Sequence, residues 1–262
     1  MRFVSWNVHG AVGTDGRRDP DRIARVLEAL APDVVGLQEV GGARRPDDPD
    51  DPAAVYASAL GLRHVFGATI HRAGIAYGNA ILSRHPVEAT RTYDLSVPGR
   101  EPRGCLRADV AAESSRLHVF VVHLGLSWFE QRRQAMQLLS ADILRDAALA
   151  FPLVLLGDFN APFNRTTVPR WLRRQLTDCA ESAGGASPTF PSRFPLLRLD
   201  RVYVDSAFRV ARCAPDRSPL ARKASDHLPL VVDLELLQHA RPAPPARLVA
   251  APGVETTLRR DG

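Results

Sequence analysis

The sequence predicts an α/β protein in which two mixed β-sheets pack together and helices cover the outside. Short apolar runs typical of buried strands recur along the chain, and between residues 65 and 123 they follow one another without an intervening helix. Parallel neighbours need a long crossover connection, so this strand-rich centre disfavours a doubly wound parallel sheet. The length of 262 residues suits one large α/β domain or two small ones.

The first half of the chain begins with a predicted strand over residues 2–8. A helix is predicted to begin at Asp19-Pro20, because the apolar residues that follow share one face, and to end before Pro32. A buried strand, a charged proline-rich loop and a short helix are predicted next, at 34–37, 41–52 and 53–60. Further strands are predicted at 65–70, 79–82, 87–93, 106–110 and 117–123.

The strongest helical pattern of the second half covers residues 128–149, where Phe129, Met136, Leu139 and Ile143 recur near helical spacing. The remaining elements are a strand at 153–156, a short helix after Thr166 and three closing strands at 202–204, 208–211 and 228–236. Together these elements predict one domain over residues 1–238.

Residues 239–262 are rich in Pro, Ala and Arg and carry no helix or strand period, so they are predicted to form a disordered tail. The alternative is that arginines of this tail tether the protein weakly to an anionic membrane or to nucleic acid.

The composition narrows the class of protein. A net charge of +5 and a pI of about 9.6 favour a phosphate-bearing partner, but the bases are scattered and are not interleaved with aromatic residues as on a nucleic-acid platform. Three cysteines without metal-ligand spacing predict free thiols. No apolar run reaches the roughly 18 residues of a membrane span, and no signal peptide is visible, which predicts a cytoplasmic protein.

Polar motifs stand at the ends of the apolar runs. They are Trp6-Asn7, Leu37-Gln38-Glu39, Gly78-Asn79-Ala80, His123, Gly157-Asp158-Phe159-Asn160, Leu199-Asp200-Arg201 and Ser225-Asp226-His227. If the strands stack in one core, these groups converge at one edge of it. Carboxylates, carboxamides and imidazoles gathered in this way are typical of a metal-assisted hydrolytic site.

Three groups of residues carry the predicted chemistry. Glu39 and Asn7 offer the oxygen ligands that Mg²⁺ prefers, although a polar residue after a strand is more often a turn former. Gly157 permits a tight turn, after which Asp158 and Asn160, two residues apart, would share one face of an extended segment and orient a water molecule. The alternative for this motif is an ordinary Asx turn.

Histidines with carboxylate neighbours complete the set. His227, which follows Asp226, is a candidate base, metal ligand or core residue. Asp200 is placed so that it could orient an imidazole, as the aspartate of a triad does. His123 ends an apolar run and could donate to a phosphate oxygen, although a lone histidine there is more often structural. The sequence contains no Gly-x-x-x-x-Gly-Lys-Ser/Thr loop, no His-Glu-x-x-His helix and no Gly-x-Ser-x-Gly elbow.

The ordered set of motifs resembles the endonuclease/exonuclease/phosphatase superfamily, the fold of DNase I, exonuclease III and neutral sphingomyelinases, over about residues 1–237. The resemblance implies a four-layer α/β sandwich with the site at one end of its two sheets. It also implies that Asn7 and Glu39 hold Mg²⁺ or Mn²⁺, with Asp226 nearby. Asp158 and Asn160 would position water and phosphate. His227 would be a general base or phosphate stabiliser oriented by Asp200, and His123 would contact the phosphate or the leaving group.

Two further points refine the resemblance. Asn79 matches a family asparagine and is assigned to substrate binding, whereas His9 stands where the exonuclease III branch has an aspartate, which weakens a repair-nuclease interpretation. The segments Gly78 to Arg84, His123 to Leu126 and Thr189 to Arg201 look like those of a group of small bacterial members.

The expected function is therefore that of a Mg²⁺- or Mn²⁺-dependent phosphodiesterase. Phospholipid-like or small phosphodiesters are ranked first as substrates, nucleic acid second and phosphomonoesters third. The alternatives are a DNA or RNA nuclease of the same superfamily and, from another class, a catalytically inactive module that binds a phosphate ligand. A monomer without an obligate protein partner is expected, and peripheral membrane contact is left open.

Overall fold

The structure is a computed structural model that describes residues 1–43, 51–72, 74–112, 115–150, 152–185 and 187–237. The predicted tail, residues 239–262, and most of the predicted loop, residues 44–50, lie outside the described residues. The strands are β1 (Arg2–Asn7), β2 (Val34–Ala43), β3 (Arg63–Arg72), β4 (Ile75–Ser83), β5 (Val87–Asp94), β6 (Gly104–Ala112), β7 (Ser115–His123), β8 (Leu153–Asp158), β9 (Thr177–Asp178), β10 (Asp200–Val204), β11 (Phe208–Pro215) and β12 (Leu230–Leu236).

The strands form two sheets of six strands each. Their orders are β11-β12-β1-β2-β4-β3 in the first sheet and β5-β6-β7-β8-β10-β9 in the second. Only β1·β2 and β7·β8 are parallel among the pairs between described strands. Each sheet is therefore mixed, with one parallel pair near its middle, which confirms the predicted fold class.

Five of the six α-helices in the described residues lie on the outer faces of the two sheets, whereas the short fifth helix along the chain buries Cys179 in the core between them. They are α1 (Pro20–Leu30), α2 (Pro52–Leu60), α3 (Trp128–Leu138), α4 (Thr167–Leu172), α5 (Cys179–Ser182) and α6 (Pro219–Ala224). Apolar side chains of α1, α2 and α6 pack on the outer face of the first sheet, and those of α3 and α4 pack on the outer face of the second. The four layers implied by the resemblance are present.

Alternation along the strands divides the apolar residues between the layers. In β1, Phe3 faces the core between the sheets while Val4 and Trp6 face the first helical layer. In β7, Val119 and Val121 face the inner core, whereas Phe120 and Val122 pack with residues of α3 on the outside. Strands buried on both faces consequently appear in the sequence as continuous apolar runs.

The predicted helix over residues 128–149 is wrong in its second half. Ser127 caps α3 in a reciprocal capping box with Glu130, and the helix ends at Leu138. Beyond it, Ser140 and Asp146 accept hydrogen bonds from the backbone N–H groups two residues further on. Such side chains compete with the helical ladder, so the chain continues in turns that still bury Ile143.

Other elements differ in extent or were missed. β2 continues to Ala43 into the segment predicted as a loop, and the short elements β9, α5 and α6 have no counterpart in the prediction. The three cysteines are free, as predicted, and Cys213 is only partly buried. None of the helices in the described part of the chain is long and apolar enough to cross a membrane.

Candidate active site

The polar residues that end the central strands meet at one edge of the two sheets. The parallel pair β1·β2 aligns Asn7 with Gln38, and the parallel pair β7·β8 aligns His123 with Asp158. Asp200 begins β10 directly opposite Asp158 in the antiparallel register. Because both parallel pairs run towards the same edge, side chains from the two sheets come into contact there.

Asp158 is the centre of this cluster and is buried. Its Oδ1 accepts the N–H of Asn160 at 2.9 Å, and its Oδ2 accepts Nδ2 of Asn7 at 3.1 Å. The Nε2 atoms of His123 and His227 lie 3.6 and 3.7 Å from the same Oδ2. One carboxylate oxygen therefore faces two imidazoles and an amide that come from three different strands or loops.

His227 forms a buried pair with Asp200. Its Nδ1 lies 2.8 Å from Oδ2 of Asp200, which also accepts the hydroxyl of Thr189. Burial disfavours the charged imidazole, but attraction to Asp200 and the hydrogen bond with it outweigh this and raise the pKa of His227 to about 10. His227 is thereby held with Nδ1 protonated towards Asp200 and with Nε2 turned towards Asp158.

His123 is set in the opposite protonation state. Burial lowers its pKa to about 3; Asp158 opposes this shift, and the charges of Arg103 and His227 reinforce it. Nη1 of Arg103 lies 3.1 Å from Nδ1 of His123. A guanidinium only donates, so Nδ1 of the neutral ring accepts and the ring proton lies on Nε2, which points towards Asp158.

Glu39 and Asn7 form the more open side of the site. Glu39 adopts a left-handed φ of 54° at a break in register between Leu37 and Val40, and its side chain is half exposed. Its Oε1 accepts Nδ2 of Asn7 at 2.9 Å. A half-exposed carboxylate beside an amide is the hard oxygen donor set that suits Mg²⁺ or Mn²⁺. Here the amide nitrogen faces Glu39, so a cation between the two side chains requires Asn7 to turn its oxygen towards it.

Asp226 lies beside this pair. Its Oδ1 accepts a hydrogen bond from Oγ of Ser225 at 3.3 Å. The same Oγ lies 2.8 Å from the backbone carbonyl oxygen of Asn7. His9 reaches the Asp226 carboxylate at 3.8 Å. His9 thus lies next to the carboxylate that the family resemblance places near a metal ion.

Asp158, Asp200 and His227 also offer ligand atoms that lie within 4.8 Å of one another. Asp200 is fully buried, however, and its Oδ2 already accepts two hydrogen bonds. Mg²⁺ retains several waters when it binds and needs access to solvent. Within this group Asp200 is the hydrogen-bond partner of His227. The half-exposed Glu39 has the solvent access that a hydrated cation needs.

Two candidate residues have surroundings that the sequence did not predict. Asn160 has a left-handed φ of 49°, so its side chain does not share an extended face with Asp158 as predicted; its Nδ2 donates to the carbonyl of Leu124 at 2.9 Å. Asn79 is buried and donates to the carbonyl of Gly104 at 3.0 Å, which joins β4 of the first sheet to β6 of the second.

Three side chains around the site were not among the candidates. Arg103 lies in a Gly- and Pro-rich segment without a period, and no local signal marks it. Thr189 and Phe190 belong to a segment that resembles small bacterial family members, which was the only available signal. Thr189 hydrogen-bonds Asp200, and the ring of Phe190 lies 4.9 Å from that of His227.

Comparisons with known proteins agree with this fold. The model of the Endonuclease/Exonuclease/phosphatase family matches residues 4–227. The protein YbhP of Escherichia coli K12 is 33% identical over 249 residues, covering 90% of this chain and 96% of YbhP. An endonuclease/exonuclease/phosphatase structure from Beutenbergia cavernae is 29% identical with a TM-score of 0.76, over 90% of this chain and 72% of that one. The mannosyl-6-phosphatase Bt3783 of Bacteroides thetaiotaomicron, 20% identical, has a TM-score of 0.73 over 90% and 100% of the two chains.

Proposed function

The chain belongs to the endonuclease/exonuclease/phosphatase family, and we propose that it is a divalent-metal-dependent phosphoesterase that hydrolyses a phosphodiester. The observation that carries this proposal is the position of Asp158. Its Oδ2 lies within 3.7 Å of two imidazoles held in opposite protonation states, beside the Glu39–Asn7 pair. Pairs of titratable groups whose pKa values are pushed apart are the usual mark of divided acid and base roles.

The roles of the individual side chains follow from their protons. Asp158 directs Oδ2 towards this region, so we assign it to orienting the attacking water, and Asn160 supports that role by donating its backbone N–H to Oδ1 of Asp158. His123 carries its proton on Nε2 and donates to a phosphate oxygen. His227, held protonated by Asp200, stabilises the charge that develops on the phosphoryl group. This favours the phosphate-stabilising role of His227 over that of a general base.

Glu39 and Asn7 would hold the cation, with Asp226 beside them. A bound Mg²⁺ or Mn²⁺ would supply positive charge to the phosphate oxygens and to the departing oxyanion. The half-exposed carboxylates of Glu39 and Asp226 leave lone pairs available for this purpose.

A phospholipid-like or small phosphodiester is the proposed substrate, and a nuclease is the second candidate. The Bacteroides neighbour is described as a phosphatase, which keeps phosphomonoesters on the panel. A catalytically inactive binding module is the rival from another class. Against it stands the presence of every acidic residue of the motifs: Glu39, Asp158, Asp200 and Asp226.

The test is hydrolysis of bis-p-nitrophenyl phosphate and p-nitrophenyl phosphate with Mg²⁺ or Mn²⁺, before and after EDTA. We expect diester turnover that EDTA abolishes and added metal restores, and that His227→Ala removes. Preference for the monoester would move the assignment to a phosphatase. Phosphate binding without turnover of these or of natural diesters, whatever the metal, would identify the binding module.

A further inference from the structure

Exposed apolar side chains lie on segments that are joined to residues of the candidate active site. Six of the eight large apolar side chains that are exposed in the described part of the chain lie in three neighbouring segments. We call them the apolar rim: Leu126, Trp128, Phe129, Phe163, Phe194 and Leu196. Leu126, Phe194 and Leu196 are 74%, 76% and 80% exposed. Large apolar groups that are left exposed on adjoining segments mark interaction surfaces.

Each rim segment is attached to a residue of the site. The segment with Leu126 follows His123, and Gln131 bonds both the carbonyl of Leu126 and that of Asn160. Phe163 lies three residues after Asn160. The segment with Phe194 and Leu196 leads into Asp200 and donates a backbone N–H, from Ser192, to the carbonyl of Asp226 at 2.7 Å. The rim therefore stands around the edge where substrate must enter.

Hydrogen bonds fix the rim segments to the body of the protein. The capping box of α3 places Trp128 at the start of the helix, where its Nε1 reaches Thr167 at 3.3 Å. The buried Arg201 bonds both Asn164 and Ala161 in the segment that carries Phe163. These apolar side chains are thus held in solvent by ordered backbone and do not fold back onto the core.

Arginines accompany the exposed apolar groups. Arg132, Arg133, Arg165 and Arg193 are exposed, and within the residues described none has a carboxylate within 4.0 Å. The guanidinium of Arg132 lies 5.7 Å from the ring of Trp128, and that of Arg133 lies 5.2 Å from the ring of Phe129. Cationic groups with Trp, Phe and Leu form the pattern that binds at the headgroup boundary of an anionic bilayer.

We propose that the apolar rim docks this protein on an anionic lipid bilayer, so that the site faces phosphodiesters of the lipid headgroups. This inference rests on the proposed phosphodiesterase function, which it makes more specific. Aromatic residues alone would also suit stacked bases of a nucleic acid. Leu126 and Leu196, two of the three most exposed members, have no π-face and gain only from apolar surroundings.

The apolar surface continues from the rim along α3. Phe129, Arg133 and Met136 follow one another at helical spacing, and the last two line a groove of about 360 Å³ together with Val97 and Pro98. This groove extends the area that lipid chains could cover next to the site.

The experiment measures cosedimentation of the full chain with vesicles of phosphatidylglycerol and phosphatidylcholine, or of phosphatidylcholine alone. The rim variant is Trp128→Ser/Phe194→Ser/Leu196→Ser, and the matched control is Leu237→Ser, an exposed leucine at the end of β12 farthest from the site. We expect the rim variant to bind anionic vesicles at least about 10-fold more weakly than the wild type, and the control to bind normally. Arg165→Gln/Arg193→Gln should reduce the preference for anionic vesicles.

Hydrolysis of bis-p-nitrophenyl phosphate, measured on the same proteins, separates this inference from the proposed function. Vesicle binding that depends on the rim, without turnover, would support docking and defeat the proposed function. Turnover by a wild type that does not bind vesicles would overturn docking alone. Docking by the rim is also overturned if the rim variant binds vesicles normally. In that case, weaker binding of a single-stranded oligonucleotide, or weaker formation of a dimer, by the rim variant would identify the occupant of the rim instead.

Discussion

The candidate site has two halves that differ in their access to water. The half next to the first sheet contains Glu39 and Asp226, whose side chains are 37% and 39% exposed. The half on the second sheet contains Asp158 and Asp200, whose side chains are 1% and 0% exposed. Carboxylates are thus present on both sides, but only one side leaves them open to solvent.

The difference assigns different work to the two halves. A buried carboxylate must find its partners inside the protein, and Asp158 and Asp200 have them in Asn160 and His227. Their geometry is fixed before any substrate binds, which is the condition for electrostatic stabilisation of a transition state. Open carboxylates such as Glu39 can exchange ligands with a hydrated cation.

His227 connects the two halves. It stands next to Asp226 in the sequence and shortly before β12 of the first sheet, and its backbone carbonyl accepts Nε1 of Trp6 at 2.9 Å. Its ring nevertheless pairs with Asp200 of the second sheet. The Asp226-His227 motif therefore contributes one residue to each half.

Loss of a group from the buried half gives the largest expected effect. His227→Ala and Asp158→Ala should each lower kcat by about 10²-fold or more with folding intact, because they remove the charged group that stabilises the phosphoryl oxygens or the acceptor that orients the water. Steady-state kinetics at saturating metal, with circular dichroism of each variant, measures this.

The matched control is His118, which is equally buried and lies 2.7 Å from Asp109 at the other end of β7. His118→Ala should change thermal stability and leave kcat per folded molecule within about 3-fold of the wild type, since the pair is remote from the site. Near-normal kcat in His227→Ala would contradict the role given to the buried half.

Loss of a group from the open half should change metal dependence instead. Glu39→Ala is expected to raise the Mg²⁺ concentration for half-maximal activity by at least about 10-fold, with much of kcat recovered at saturating metal. Titrating Mg²⁺ into EDTA-treated enzyme measures this. Glu235→Ala, at an exposed position in β12, is the control. An unchanged metal requirement with reduced kcat would remove the distinction between the halves.

Much of this arrangement was predictable from the sequence, because strand ends carry their own signals. Continuous apolar runs marked β1, β7 and β8, and each ends in a polar residue, Asn7, His123 or Asp158, that the parallel pairing brings to one edge. The packing of two mixed sheets followed from the strand-rich centre. These features depend on local periodicity and on the rules of strand pairing.

The partners of those residues were not predictable, because they depend on how loops fold back. Arg103 bonds His123 across 20 positions, and Thr189 bonds Asp200 from a segment without regular structure. Asn160 turned out to be left-handed, a conformation that asparagine tolerates but that its position after a strand did not indicate. Whether a carboxylate is open or buried, the basis of the two halves, was likewise not visible in the sequence.

A smaller effect is expected from weakening the pair that orients His227. Asp200→Asn keeps the shape of the side chain but removes the charge that attracts the imidazole, so kcat should fall, but by less than in His227→Ala. Thr189→Val removes only one neutral donor to Asp200 and should have a smaller effect still. A loss in Asp200→Asn that exceeds that of His227→Ala would show that Asp200 acts on more than this histidine.

The smallest expected effect on kcat concerns the connection between the sheets. Asn79→Ala leaves the buried carbonyl of Gly104 without its donor, which costs about 1–3 kcal/mol of stability. Gly104 follows Arg103, so a shift there should reach His123 indirectly and change kcat only a few-fold. Thermal unfolding and Michaelis kinetics of Asn79→Ala, compared with Asn79→Asp, test this.

Asn79→Asp should be the less stable of the two variants because it places a carboxylate against the carbonyl of Gly104. If Asn79→Ala instead keeps wild-type stability and raises KM strongly, then Asn79 binds the substrate directly, as assigned from the sequence, and the two halves of the site are joined by other contacts.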